Sequence, residues 1–181
     1  SSTGATIPPA STDPASHGGG LIIRQFAPRR RNQTEYSMTP ALDKALPEFE
    51  ALATGGVKFS PQAYAGKIVV LYFYPKDDTP GCTKESCAFQ DNLPKFKSSK
   101  AVVFGARILD EKSKKKFADK FNLTFSLLAD ADHAMAEKYG VWQEKSLYGR
   151  KFMGIVRTTF VIDPAGKIAQ IFSKVKVKDH A

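Results

Sequence analysis

The chain has 181 residues, 42% of them hydrophobic, enough for one ordinary domain with a real core plus a tail. No run of about 18 apolar residues occurs, which excludes a membrane-spanning helix, and two cysteines cannot form a disulfide scaffold. The formal net charge of +9 is scattered over residues 29–31, 112–116 and 174–178, without interleaved stacking aromatics, so it reads as solvated basic faces rather than a nucleic-acid surface.

Residues 1–20 are Ser, Thr, Pro, Gly and Ala with almost no large apolar side chain, and cannot bury enough surface to offset ordering entropy. Residues 21–37 add Arg24, Arg29, Arg30 and Arg31 around a short apolar patch. This Ser- and Arg-rich, acid-poor composition fits an organelle transit peptide, and fits an arbitrary extension better. Residues 1–39 are therefore expected to be a disordered or weakly ordered extension, with the folded domain over residues 40–181.

Residues 46–52 alternate apolar and polar as a half-buried strand does, Gly55-Gly56 makes a turn, and Val57-Lys58-Phe59 returns as a hairpin partner. Ser60-Pro61 opens a brief helical turn. The run at 68–74, Ile-Val-Val-Leu-Tyr-Phe-Tyr, reads as a buried strand that Pro75 stops, having no N–H for the ladder. Residues 77–81, including Asp77 and Asp78, are turn chemistry leading into a helix. Phe89, Leu93 and Phe96 continue at helical spacing, with Pro94 bending or restarting that helix.

Residues 101–105 form a second buried strand. Residues 112–121 make an amphipathic helix with Phe117, Ala118 and Phe121 on one side and lysines on the other. A short strand at 125–128 precedes a helix over 130–139, closed by Gly140. Residues 157–162 and 167–172 form a hairpin around Asp163-Pro164-Ala165-Gly166. The expectation is an α/β fold, a central mixed sheet flanked by helices on both faces, without internal repeats.

The only two cysteines, Cys82 and Cys87, sit at the corner where the first buried strand gives way to a helix. Sites in open α/β sheets gather outside such strand ends. A helix N-terminus favours thiolate over thiol at Cys82, Thr79 is near enough to position a bound oxygen, and Gly81 leaves the sulfur approachable. A peroxide would convert such a thiolate to a sulfenic acid, with which Cys87 could condense. Five helical residues place two Cα atoms roughly 8.7 Å apart. That exceeds the limit of about 7 Å for a disulfide without backbone movement. The bridge therefore requires this helix to unwind locally, as a unit of low stability.

Inert core thiols are the ordinary reading of lone cysteines, but the turn and polar flanks argue against it. A metal site from the cysteines with His17, His133 or His180 lacks fitting spacing. His133 reads as surface, and Tyr139 and Trp142 as core or pocket rim. A disulfide reductase would normally carry C-x-x-C, which is absent.

Residues 73–87, Phe-Tyr-Pro-Lys-Asp-Asp-Thr-Pro-Gly-Cys-Thr-Lys-Glu-Ser-Cys, closely resemble the active-site segment of the peroxiredoxin Q, or bacterioferritin comigratory protein, class of peroxiredoxins. The pattern P-x-x-x-T-x-x-C falls on Pro75, Thr79 and Cys82, and C-x-x-x-x-C on Cys82 and Cys87. Residues 148–163 are similar to the segment carrying the family's active-site arginine, which falls on Arg157. Residues 174–181 are similar to its near-terminal segment.

The resemblance implies a thioredoxin-like fold and an atypical 2-Cys enzyme reducing hydrogen peroxide and organic hydroperoxides, with Cys82 peroxidatic and Cys87 resolving. It implies no cofactor: no metal, haem or flavin. Arg157 would favour the thiolate and bind the peroxide oxygens, Thr79 would orient the peroxide, and Pro75 would shield the pocket. Glu85 reads equally as a group capping the helix start and holding the arginine, or as a solvated helix residue.

Thioredoxin or a similar dithiol is the implied reductant, with no nucleic-acid or membrane partner. The expected state is a cytoplasmic monomer, with a dimer or organelle targeting as alternatives. A peroxide-sensing switch or chaperone-like binding protein is the rival function. Two departures stand out. Arg107 occupies a position where the family usually has Ser, placing an extra cation near the pocket. The family also normally continues past the position of Ala181 into a final helix, without which part of the sheet face is expected to be uncovered.

Overall fold

The fold follows from one run of side chains that cannot face water on either side. In the computed structural model, which describes residues 40–76 and 79–177, that run is the third of nine strands among the described residues. The expected extension over residues 1–39, His17, the Asp77-Asp78 turn, and the terminal residues with His180 lie outside the described residues.

In chain order, β1 (Ala51–Ala53) and β2 (Val57–Phe59) pair antiparallel across Gly55-Gly56, whose φ values of 90° and 73° suit glycine. The strand expected over residues 46–52 is thus reduced to its end. Pro47 cannot donate to a ladder. The chain before β1 instead runs as extended coil along the closing hairpin, where Leu46 N–H donates to the Gly166 carbonyl at 3.1 Å. Leu46 and Phe49 still enter the core.

A 3₁₀ turn (Pro61–Tyr64) leads to β3 (Ile68–Phe73), α1 (Pro80–Asp91) and α2 (Leu93–Ser98). Pro94 sits in the first turn of α2, where its missing N–H costs nothing, so the helix restarts. Next come β4 (Ala101–Arg107) and α3 (Glu111–Lys120), whose cap Asp110 accepts from Ser113 N–H at 2.7 Å.

One lysine of α3 departs from the expected solvated face. Lys114 is fully buried, donating to the Tyr74 hydroxyl at 3.0 Å and standing 4.7 Å from the Tyr74 ring centroid. Its register carries it onto the Phe117 side of the helix, and a tyrosine waits there.

After β5 (Ser126–Ala129), α4 spans only Ala134–Lys138, shorter than the 130–139 expected. Asp130 is the reason. Its carboxylate accepts from Met135 and Ala136 N–H at 2.9 and 2.8 Å, acting as a cap from outside the helix. Gly140 (φ 64°) ends the helix as anticipated. His133 stacks on Trp142 at 4.9 Å and pairs with Glu137 at 3.0 Å, and Tyr139 is core.

A separate two-stranded sheet, β6 (Trp142–Leu147) with β7 (Arg150–Ile155), has no counterpart among the sequence expectations. Tyr148 and Gly149, both at positive φ, form its two-residue turn. Finally β8 (Thr158–Ile162) and β9 (Ile168–Ser173) form the expected hairpin.

The main sheet has the order β2-β1-β5-β4-β3-β8-β9. The β3–β4 and β4–β5 pairs are parallel and the others antiparallel, so the sheet is mixed as expected. Alternation along β3 divides the core. Val70, Tyr72 and Tyr74 face Phe89 of α1 and Phe117 of α3. Val69, Leu71 and Phe73 face the opposite layer, with Met135 of α4 and Tyr139. Helices cover both faces, and the carboxyl end of β3 opens at the top of the sheet.

Candidate active site

The final ladder contact on this edge of β3 is Tyr74 N–H to the Ala106 carbonyl at 3.2 Å. Pro75 follows, and the chain leaves the sheet. Thr79 is extended (φ −100°, ψ 148°) and precedes the helix; Pro80 occupies its first position, and Thr83 N–H closes the first turn on the Thr79 carbonyl at 2.8 Å. Cys82 is therefore in the first turn of α1, where backbone N–H groups lack intrahelical acceptors.

Cys82 is 1% exposed. Arg157 Nη2 donates to its Sγ at 3.1 Å, while Nη1 donates to Glu85 Oε2 in an ion pair. One guanidinium thus bridges a sulfur and a carboxylate three residues apart on α1. Arg157 comes from the two-residue link between β7 and β8. The link is held on both sides, since Val156 N–H donates to the Val141 carbonyl at 2.8 Å and the Arg157 carbonyl accepts from Val175 N–H at 3.1 Å.

Glu85 is fully buried against Arg157, so the reading of it as a solvated helix residue is set aside. Its Oε1 has no hydrogen-bond partner. Burial pushes the carboxyl up to about 7, outweighing the opposing effect of the Arg157 charge and hydrogen bond. The half-buried Cys87 is displaced upward as well, by desolvation and then by the negative charge of Asp91. Both cysteines are free thiols on one uninterrupted helix.

The other expected positions fall around this pair. The Thr79 hydroxyl donates back to the Lys76 carbonyl at 3.1 Å, which leaves its oxygen lone pairs as acceptors. The half-buried Pro75 offers its carbonyl to Arg107 Nε at 3.0 Å, so the extra cation of β4 ties down the start of the active-site loop. At Gly81 an added Cβ would lie 3.7 Å from Val177 Cγ2 and 3.8 Å from Arg157 Nη2, which is ordinary contact. A longer side chain would run into that wall. Val177 lies in the stretch over residues 174–181 that is similar to the family's near-terminal segment, but its own place beside Gly81 is not among the sequence expectations.

Among the described residues, no group of three or more His, Cys, Asp or Glu is placed to hold a metal ion, and no helix is long and apolar enough to cross a membrane. A buried thiol bonded to a guanidinium at a helix start, with a hydroxyl and an unencumbered glycine beside it, is suited to a small electrophile that accepts hydrogen bonds.

Residues 42–171 match the AhpC/TSA family. Peroxiredoxin Bcp of Bacillus subtilis is 43% identical over 143 residues, covering 79% of this chain and 91% of that protein. A solved structure of Xanthomonas campestris bacterioferritin comigratory protein, from work on its alkyl peroxide reduction activity, superposes with a TM-score of 0.70 at 38% identity, covering 73% of this chain and 84% of that one. Xylella fastidiosa PrxQ superposes with a TM-score of 0.74 at 32% identity, covering 78% and 90%. The thioredoxin-like fold of these neighbours is the fold described above, and the chain belongs to the AhpC/TSA family as a thiol-dependent peroxidase of the peroxiredoxin Q, or bacterioferritin comigratory protein, class.

Proposed function

We propose that the chain reduces hydrogen peroxide and organic hydroperoxides in a cycle whose first nucleophile is Cys82 and whose second is Cys87. The observation that carries this reading is the Arg157 guanidinium, 3.1 Å from the Cys82 sulfur and fixed from behind by Glu85. A permanent cation there offers N–H groups to an incoming peroxide and to the negative charge that develops on its oxygens as the O–O bond breaks. The alkyl peroxide reduction named for the Xanthomonas relative supports organic hydroperoxides among the substrates.

In the first step the Cys82 thiolate attacks one peroxide oxygen and the O–O bond breaks. The sulfur becomes a sulfenic acid, and the second oxygen leaves as water or an alcohol after taking a proton. Thr79 orients the peroxide and Pro75 limits access of water. In the second step Cys87 attacks the Cys82 sulfur, and the hydroxyl group leaves as water with the proton Cys87 gave up. A thioredoxin-like dithiol then reduces the disulfide. The working unit is a monomer in a reducing compartment such as the cytoplasm.

Mass spectrometry of peroxide-treated protein tests this directly, with a Cys82–Cys87 disulfide as the expected product. Cys82→Ser should abolish peroxide loss. Cys87→Ser should consume one equivalent, stop at the sulfenic acid and fail to turn over with thioredoxin. Undiminished thioredoxin-linked turnover by Cys87→Ser would remove Cys87 from its role.

A further inference from the structure

Ser86 lies on the buried side of α1, one residue before Cys87, and its Oγ shares a hydrogen bond of 2.9 Å with the Tyr72 hydroxyl. Both residues are 0% exposed. The Tyr72 side chain cannot follow the helix if it moves. Off the helix its ring stacks on Tyr74 at 5.5 Å and meets Phe125 edge-on at 6.1 Å, and beyond Cys87 it stacks on Phe89 of α1 at 4.5 Å. On the sheet side an added Cβ at Gly105 would lie only 2.7 Å from Tyr72 Cζ and its hydroxyl oxygen, so the ring is seated where β4 has no side chain. The phenol belongs to the sheet and the serine to the helix.

The buried residues of α1 are Cys82, Glu85, Ser86 and Phe89. Cys82 and Glu85 are already committed to Arg157, and Phe89 lies beyond Cys87. Beside the Glu85–Arg157 pair, Ser86 thus adds a polar attachment from the stretch between the two sulfurs to strand β3 itself. That is the stretch which must unwind, because two helical Cα atoms five residues apart stand roughly 8.7 Å from each other and a disulfide tolerates no more than about 7 Å.

We propose that the Tyr72–Ser86 hydrogen bond is a latch that sets how often α1 opens, and thereby divides the Cys82 sulfenic acid between disulfide formation and further oxidation. The inference rests on the proposed roles of Cys82 and Cys87. With α1 closed, the sulfenic acid can attack a second peroxide. A new S–O bond forms, the O–O bond breaks, and the products are a sulfinic acid and water or an alcohol. With α1 open, Cys87 displaces the hydroxyl as water. The first route scales with peroxide concentration and the second with the open fraction. Losing one buried hydrogen bond raises the open fraction by about tenfold. A rarely open helix remains mostly closed after such a change, so the first chemical step is untouched.

Tyr72→Phe is the cleaner variant, since it keeps the ring and its stacking on Phe89. Its first-turnover peroxide consumption should stay within about twofold of the parent. Disulfide formation should become about tenfold faster, and the peroxide concentration giving half sulfinic acid should rise by a similar factor. Ser86→Ala should act in the same direction but less, because alanine adds helix propensity that opposes opening. The double variant should exceed Tyr72→Phe by little, because both substitutions remove the same shared bond. If Tyr72→Phe lowers global folding, Ser86→Ala is read in the same way with the ring packing in place.

Hydrogen exchange on the reduced proteins separates the latch from the roles beneath it. Faster exchange at residues 83–87 in Tyr72→Phe, with the β4 amides unchanged, supports the latch even if the parent forms no Cys82–Cys87 disulfide, an outcome that would sink only the assigned roles. Unchanged exchange across α1, or acceleration spread evenly over the sheet, overturns the latch.

Discussion

Arg157 and Glu85 hold each other in a buried pair that leaves Glu85 Oε1 without a partner, and the cost of that arrangement depends on pH. The Glu85 carboxyl is raised from 4.5 to about 7 in the folded chain. Between those values the folded state binds more protons than the unfolded one, so stability falls as pH rises through the window. Glu85→Gln should flatten that part of the stability profile, measured by denaturant titration at a series of pH values. A profile unchanged by the substitution would show that Glu85 does not titrate there.

Arg157→Ala should slow the reaction of Cys82 with peroxide by about 10²–10³-fold, the usual scale for losing a charge-stabilising donor at a reaction centre. Stopped-flow kinetics under single-turnover conditions reads this directly. Arg157→Lys should recover only part of the rate, because a single ammonium cannot reproduce the fork that serves sulfur and carboxylate at once. Equal rates for Lys and Arg would mean that charge alone suffices.

The pattern from Pro75 to Cys87 marks its own residues, and the fold brings Arg157, 75 positions from Cys82, onto the sulfur. What the chain does not advertise at this scale is pairing. Nothing local to Glu85 says that it is buried, since the same helix carries exposed Lys84 one residue before it. Val177 and the Lys114–Tyr74 contact depend wholly on what the sheet delivers from a distance.

At the scale of elements, β3, α1, β4 and the β8–β9 hairpin were legible because each carries its own period or its own turn. The failures have separate causes. The strand expected before Ala51 is defeated by Pro47. The helix expected over residues 130–139 is displaced by a carboxylate that prefers to cap. The β6–β7 sheet is mostly exposed on both sides, with Leu147, Tyr148, Phe152 and Met153 all open to solvent, so it shows no alternation to read.

The element with most consequence is α1. Hydrogen exchange should show protection over residues 83–91 in the reduced protein, starting from the Thr83 N–H bond to the Thr79 carbonyl, and loss of it over residues 83–87 once the disulfide forms. Equal protection in both redox states would mean that the two sulfurs meet without unwinding, contrary to helix geometry.

For the molecule as a whole, the mixed sheet with helices on both faces was foreseeable from strands alternating with helices and a closing hairpin. The seat of the sheet's central tyrosine was not. Gly105→Ala drives a methyl group into Tyr72 and Leu127, at 2.7 and 2.8 Å. It should destabilise the fold by about 1–3 kcal/mol, measured as a lower midpoint in chemical unfolding. An unchanged midpoint would require the β3–β4 pair to spread without penalty.

Both partners of the Arg157 guanidinium, Cys82 and Glu85, ride on α1, while the arginine itself is anchored outside that helix. In the proposed cycle, the unwinding that lets the sulfurs meet also strips the cation of its sulfur and its carboxylate together. Readiness to meet peroxide and ability to heal the oxidised sulfur are then alternating states of a single segment, never simultaneous ones. Each such turnover carries a refractory interval: after a reductant restores the thiols, the chain is deaf to the next peroxide until the stretch of α1 between the two sulfurs has wound back into the helix.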